Sequence, residues 1–169
     1  MIEFDSIEAQ RRTGGKLVLA CNAAMVALTP LASLVAGVSY FFVADDPIGG
    51  AWLMLWKGAG VGFLALYAAF RTRGFDGLLI AGALTLGALG DVTLEISFLI
   101  GGALFALGHA VAIILYLRNR RASTSSSQIL AGGSLLLLTP LIAGLIAYPL
   151  PNWIVATAYS AVVGGMAAA

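Results

Sequence analysis

Four ionisable residues lie in or beside long apolar stretches of the chain. Lys57 is six residues into the run 51–70, which is about 10 Å deep at 1.5 Å per helical residue. Asp91 and Glu95 close a later run, and His109, the only histidine, lies near the middle of the next one. A charge in hydrocarbon costs a few kcal/mol, so such residues usually have a partner or a function. These four are therefore candidate functional residues.

The spacing of Asp91 and Glu95 suits acid–base chemistry. Residues four apart share one face of a helix, so both carboxylates would point the same way. Two neighbouring carboxylates can divide their roles, one protonated as the acid and one ionised. Three of the four residues also have a purely structural alternative. Lys57 could extend to the membrane surface, Glu95 could be a solvated turn residue, and His109 could simply hydrogen-bond a neighbouring helix.

Six apolar runs, joined by short polar segments, carry these residues. A helix needs roughly 20 apolar residues to cross a hydrocarbon core, and continuous runs lack the alternation of barrel strands. The sequence therefore predicts an all-α membrane bundle of six transmembrane helices, with a tail at 1–16 and one transmembrane domain at 17–169. The predicted helices are Leu17–Val43, Ala51–Phe70, Phe75–Leu94, Ile96–Leu117, Gln128–Tyr148 and Trp153–Ala169.

The composition excludes several other classes of protein. Of the 169 residues, 60% are hydrophobic and 10% are charged, whereas a soluble domain has about 25% charged residues. A net charge of +1 lacks the basic surplus that nucleic-acid binding needs. A single cysteine forms no internal disulfide, and one histidine with two carboxylates is a thin ligand set for zinc. We therefore expect no metal and no other cofactor.

The basic residues predict the orientation in the membrane. The segments on one side carry eight of the nine Lys and Arg, whereas the opposite segments carry only the acidic Asp45, Asp46 and Glu95. The positive-inside rule then makes the N-terminus cytoplasmic, and six helices return the C-terminus to that side. The eight basic residues are Arg11, Arg12, Lys16, Arg71, Arg73, Arg118, Arg120 and Arg121.

This orientation predicts one site. Lys57, Asp91, Glu95 and Tyr159 would lie in the half of the membrane away from the cytoplasm, with His109 below them near the middle. Polar groups from four helices at compatible depths indicate a single cavity that opens away from the cytoplasm.

One block of motifs resembles a known family. A Gly-Asp pair is followed in the next run by Phe, Gly and Phe, then by a Gly-His pair and a Tyr. This block is similar to the signature of the YhhN-like lysoplasmalogenase family, over about residues 51–169. The family has eight helices, so the resemblance implies that these six are the first six of an eight-helix, two-part repeat. The matching residues are Gly87, Gly90, Asp91, Phe98, Gly101, Gly102, Phe105, Gly108, His109 and Tyr116, with Lys57 and Tyr159 in addition.

The resemblance implies hydrolysis of the vinyl-ether bond of a lysoplasmalogen to a fatty aldehyde and a glycerophospho headgroup. It also implies a lysophospholipid and the lipid bilayer as partners, in a bacterial inner membrane. The catalytic residues would be Asp91, His109 and Glu95. The residues that bind substrate would be Lys57, Tyr159, Phe98 and Phe105.

Two other classes of function fit part of the sequence. A small transporter or a proton or ion relay could use the same buried lysine, aspartate and histidine. A structural membrane protein would explain the 21 glycines by close helix packing, but it leaves the buried charges without a role. Turnover of a lipid separates the enzyme from both alternatives.

Overall fold

The computed structural model describes residues 2–43 and 50–169, and the side chains from residue 14 onward. Asp45 and Asp46 lie outside the described residues, as do the side chains of Arg11 and Arg12. The described chain forms six helices and contains no strand, which confirms the all-α, six-helix prediction. The helices are α1 (Ile2–Val43), α2 (Ala51–Arg71), α3 (Gly74–Leu94), α4 (Phe98–Arg118), α5 (Ser126–Ala147) and α6 (Trp153–Ala168).

The helices have the length and polarity that a bilayer requires. Within the described residues, α2 to α5 and the Gly14–Val43 part of α1 are long and apolar enough to span a membrane. The sixth helix, α6, is apolar but has only 16 residues. The chain is therefore an integral membrane protein with five helices of spanning length and a shorter sixth.

The helix boundaries lie within two residues of the predicted ones except at the start of α1, and two of the differences have a physical reason. The first helix begins at Ile2 instead of Leu17, because hydropathy marks where a helix becomes apolar and not where it starts. The fourth begins at Phe98 instead of Ile96, because the carbonyl of Thr93 accepts hydrogen bonds from the amides of Ile96 and Ser97 and closes a turn there. The Ser97 side chain then caps α4 by accepting from the amide of Ile100.

The helices pack in the spatial order α1, α2, α3, α4, α6, α5. Among the described residues, α1 contacts only α2, and α5 contacts only α6. Few of the described side chains are buried, and the buried apolar ones among them are all alanines: Ala36, Ala65 and Ala68. Most leucine, isoleucine and phenylalanine side chains face outward, where hydrocarbon is the solvent, so small residues and not large ones fill the helix interfaces.

Gly101 is an interface position at which the backbones of α3 and α4 nearly touch. A Cβ added there would lie 2.7 Å from the amide nitrogen of Leu94 and 2.8 Å from its Cα. Neither backbone atom can move without separating the two helices. The next residue, Gly102, has open space, with nothing within 4 Å of its added Cβ.

These two adjacent glycines give a matched stability prediction. Gly101→Ala should lower the free energy of unfolding by about 1–3 kcal/mol, because the methyl group overpacks a closed contact. Gly102→Ala should leave the stability unchanged or raise it by up to about 1 kcal/mol, because alanine is the better helix former. Thermal unfolding in detergent measures the difference, and equal Tm values for the two variants would contradict the α3–α4 contact.

Candidate functional site

Lys57, Asp91 and Glu95 form a charged cluster where α2 begins and α3 ends. The Lys57 Nζ lies 2.7 Å from the Glu95 Oε1. Asp91 lies one helical turn earlier on α3, on the same face as Glu95. The ion pair is formed by Glu95 and not by Asp91, so the three groups are not equivalent. Asp91 is also the more buried of the two carboxylate residues.

Close packing of α2 on α3 produces this cluster. Next to Lys57, a Cβ added to Gly58 would come 2.5 Å from the Val92 Cγ2 and 3.2 Å from the Ala88 carbonyl oxygen. Only glycine allows α2 to approach this part of α3. The approach brings the lysine stem alongside the face of α3 that carries Asp91 and Glu95.

Lys57 has a charged partner at the surface of the bundle. The side chains of Lys57 and Glu95 are 26% and 41% exposed, so neither is fully enclosed by the helices. Lys57 is therefore paired at the end of the bundle and not free in the hydrocarbon. Glu95 lies in the turn after α3 and is exposed, yet it is the partner of the lysine.

His109 and Tyr159 form a second group, between α4 and α6. Their rings meet edge to face, with centroids 5.6 Å apart and planes at 83°. The His109 Nδ1 lies 2.6 Å from the carbonyl oxygen of Phe105. Because a carbonyl oxygen only accepts, Nδ1 carries the proton and donates. The tautomer follows from this partner, and Nε2 is the nitrogen that a ligand or a water could use.

Two cavities adjoin the histidine and the tyrosine. The first, here the His109 cavity, has a volume of about 330 Å³ and is lined by α2, α3, α4 and α6, including Val61, Gly87 and His109. The second, here the α4–α6 cavity, has a volume of about 620 Å³ and includes Phe98 and Tyr159 in its lining. Both linings are almost wholly apolar.

The predicted site residues thus fall into two groups instead of lining one cavity. Phe98, Phe105, His109 and Tyr159 line one or both of the described cavities. The charged cluster lies outside these two linings. It is nearby in the fold, because Gly87 lines the His109 cavity and lies four residues from Asp91, about 6 Å along a helix. A substrate longer than that distance would reach both groups.

Some residues of this region carried no signal in the sequence. Leu94, Val155 and Ala156 line the α4–α6 cavity, but an apolar residue that faces a cavity looks like one that faces lipid. Asp76 was also not singled out. It accepts from the Arg118 Nε and the Asn119 Nδ2, each at 3.0 Å, and fastens the start of α3 to the end of α4. The only sequence signal for this contact was an acidic residue in the first turn of α3 and a basic residue in the last turn of α4.

Within the part of the chain that the structure describes, no three His, Cys, Asp or Glu side chains cluster closely enough to hold a metal ion. The ionisable groups of the candidate site are carboxylates, a lysine ammonium, an imidazole and a phenol.

These features define a polytopic helical membrane protein with ionisable groups next to apolar cavities. Comparison with known families narrows this class. The model of the YhhN family matches residues 52–169, which is more than half of the chain and includes every predicted site residue. The chain belongs to the YhhN family, as the motif block around Asp91 and His109 predicts. No curated protein and no solved structure matches it.

Proposed function

We propose that this protein is a membrane hydrolase that cleaves the vinyl-ether bond of lysoplasmalogen, releasing a fatty aldehyde and a glycerophospho headgroup. The observation that carries the proposal is the charged cluster, in which Lys57 engages Glu95 and leaves Asp91 outside the ion pair. Membership of the YhhN family supports the same reaction. The two apolar cavities support a substrate with a hydrocarbon chain.

The reaction needs an acid that can protonate carbon. A protonated Asp91 carboxyl would transfer its proton to the chain-side carbon of the double bond, giving an oxocarbenium ion at the carbon that bears oxygen. The ionised Glu95, held by Lys57, would stabilise this cation. Water would then add to the cation and return a proton to Asp91. The resulting hemiacetal would separate into the aldehyde and the alcohol of the headgroup, so one water is consumed.

The residues that line the two cavities would position the water and bind the hydrocarbon chain. The Nε2 of His109 would orient water or move its proton, because Nδ1 is already engaged by the Phe105 carbonyl. Tyr159 lies against the histidine ring and would contact the substrate beside it. Phe98 and Phe105 would line the path of the alkenyl chain. Lys57 would also attract the phosphate of the headgroup, which is a second use of the same charge.

The proposed orientation has the charged cluster away from the cytoplasm, in a bacterial inner membrane. Lys57 and Glu95 lie at the ends of α2 and α3 opposite to the exposed Arg71 and Arg73. Arg118 lies at the same end as Arg71, in the last turn of α4. The positive-inside rule assigns that arginine-rich end to the cytoplasm.

Aldehyde release from a lysoplasmalogen tests the proposal. The purified protein in detergent should release fatty aldehyde from the vinyl-ether lipid, and it should leave the acyl lysophospholipid of the same chain length and headgroup intact. A coupled aldehyde dehydrogenase assay measures the product. Folded protein that releases no aldehyde would contradict the proposal, and proton or ion flux in sealed vesicles would then favour the relay.

A further inference from the structure

The two cavities lie on opposite sides of one aromatic side chain. On α4, residues 98–106 contribute to the α4–α6 cavity and residues 105–116 to the His109 cavity, and Phe105 lines both. The residues of α3 give the same order, because Leu94 lines the α4–α6 cavity and Gly87 lines the His109 cavity. The cavities are therefore stacked along the helix axes, with Phe105 at the level where they meet.

The ring of Phe105 is held in that position by its contact with α3. It packs on the backbone of Gly90, where an added Cβ would come within 2.9 Å of two ring atoms. The ring therefore cannot move toward α3. On the α6 side, the edge-to-face pair of His109 and Tyr159 lies between the two cavities, because His109 lines one and Tyr159 lines the other.

We propose that Phe105 closes the inner end of the chain-binding site and thereby sets the longest hydrocarbon chain that the α4–α6 cavity holds. The identity of the ligand, a lysophospholipid with a single chain, rests on the proposed function. The chain enters at the start of α4 near Phe98, passes the level at which Leu94 packs on Gly101, and ends against Phe105. Its headgroup stays beside the charged cluster.

The lining of the α4–α6 cavity supports a chain as the occupant. Its polar side chains are those of Tyr159 and Ser160, and the hydroxyl of Ser160 is already donated to the Thr157 carbonyl at 2.8 Å. The Tyr159 hydroxyl alone would not compensate a buried charge or the several hydroxyls of a sugar. The volume of about 620 Å³ is within the usual size of a small-molecule site, and its neighbour beyond Phe105 offers about 330 Å³ more.

Competition among chain lengths tests this proposal without turnover. Saturated 1-O-alkyl lysophospholipids carry no vinyl ether and are not cleaved by the proposed chemistry. An equimolar series of increasing chain length is added to the protein in nanodiscs, and native mass spectrometry gives the ratio of bound long-chain to bound short-chain lipid. A shared membrane cancels differences in partitioning, so the ratio reports the cavity.

Phe105→Ala should raise the ratio of bound long-chain to short-chain lipid above that of the wild type, because it removes the ring that excludes the end of the longer chain. Phe105→Leu, which keeps more of the packing, should shift it in the same direction by less and covers the case in which the alanine variant fails to fold. Leu107→Ala is the matched control, because Leu107 is exposed on α4 and lines neither described cavity. Its ratio should equal that of the wild type.

Filling the His109 cavity with a larger side chain distinguishes a specific limit on chain length from a general loosening of helix packing. Ala112 lines the His109 cavity, so Phe105→Ala combined with Ala112→Phe should return the ratio toward the wild-type value. An unchanged ratio in both Phe105 variants overturns the proposal, as does equal binding of a diacyl phospholipid in the mixture. A shifted ratio without aldehyde release from lysoplasmalogen would contradict the proposed hydrolase activity but support the role of Phe105. Aldehyde release without a shifted ratio would support the hydrolase activity and contradict the role of Phe105.

Discussion

Asp91→Asn should lower kcat for vinyl-ether hydrolysis by about 10³-fold, within the range that general acid–base catalysis supplies. The amide has the shape of the carboxyl but has no acidic proton to give to carbon. Lys57 still has Glu95 as its ion-pair partner at 2.7 Å, so the variant loses no salt bridge and its Tm should stay close to that of the wild type. The initial rate of aldehyde formation at saturating substrate measures the loss.

Asp76→Asn is the matched control for this prediction. Asp76 is an aspartate on the same helix, but it lies in the first turn of α3, at the opposite end from Asp91, and binds Arg118 and Asn119. Its replacement should leave kcat within about twofold of the wild type, since a half-exposed pair contributes little. An Asp91→Asn variant that keeps more than a tenth of the wild-type rate would show that another group supplies the proton.

The helices were predictable because a bilayer imposes a simple rule on the sequence. Each spanning helix must be a long apolar run, and polar turns such as that at Thr93–Ser97 separate the runs. The start of α1 was not predictable in this way. Residues from Ile2 to Lys16 are polar enough to leave the membrane and still continue the helix, and hydropathy records only the first property.

The charged cluster was partly predictable from spacing. An i,i+4 separation puts Asp91 and Glu95 on one face, and a lysine in the neighbouring helix is a natural partner. Whether Lys57 pairs with Glu95 or with Asp91 depends on the position of α2 along the axis of α3. Gly58 against Val92 sets that position, and neither the contact nor its register can be read from a single sequence.

The position of Phe105 was the least predictable feature of the candidate site. A phenylalanine in an apolar helix normally faces lipid or a helix interface, and the sequence indicated only that it would line the path of a chain. Its location between two cavities depends on α6 packing beside α4 while α5 stays outside. That order of packing is a tertiary property, and local periodicity carries no information about it.

His109→Gly should lower kcat by about 10²-fold, because a general base contributes 10²–10⁴-fold. The cavity that adjoins the histidine, about 330 Å³, leaves room for a free base. Added imidazole should therefore restore part of the activity of His109→Gly and none of that of Asp91→Asn.

The control for this rescue is pyrazole, a ring of the same size that is a much weaker base. If His109 only braces Tyr159 and the Phe105 carbonyl, both rings would refill the space and rescue equally. If its Nε2 moves a proton, only imidazole would rescue, and the restored rate would rise with pH as the added base loses its proton. The comparison thus separates a proton-transfer role for this histidine from a purely structural one between α4 and α6.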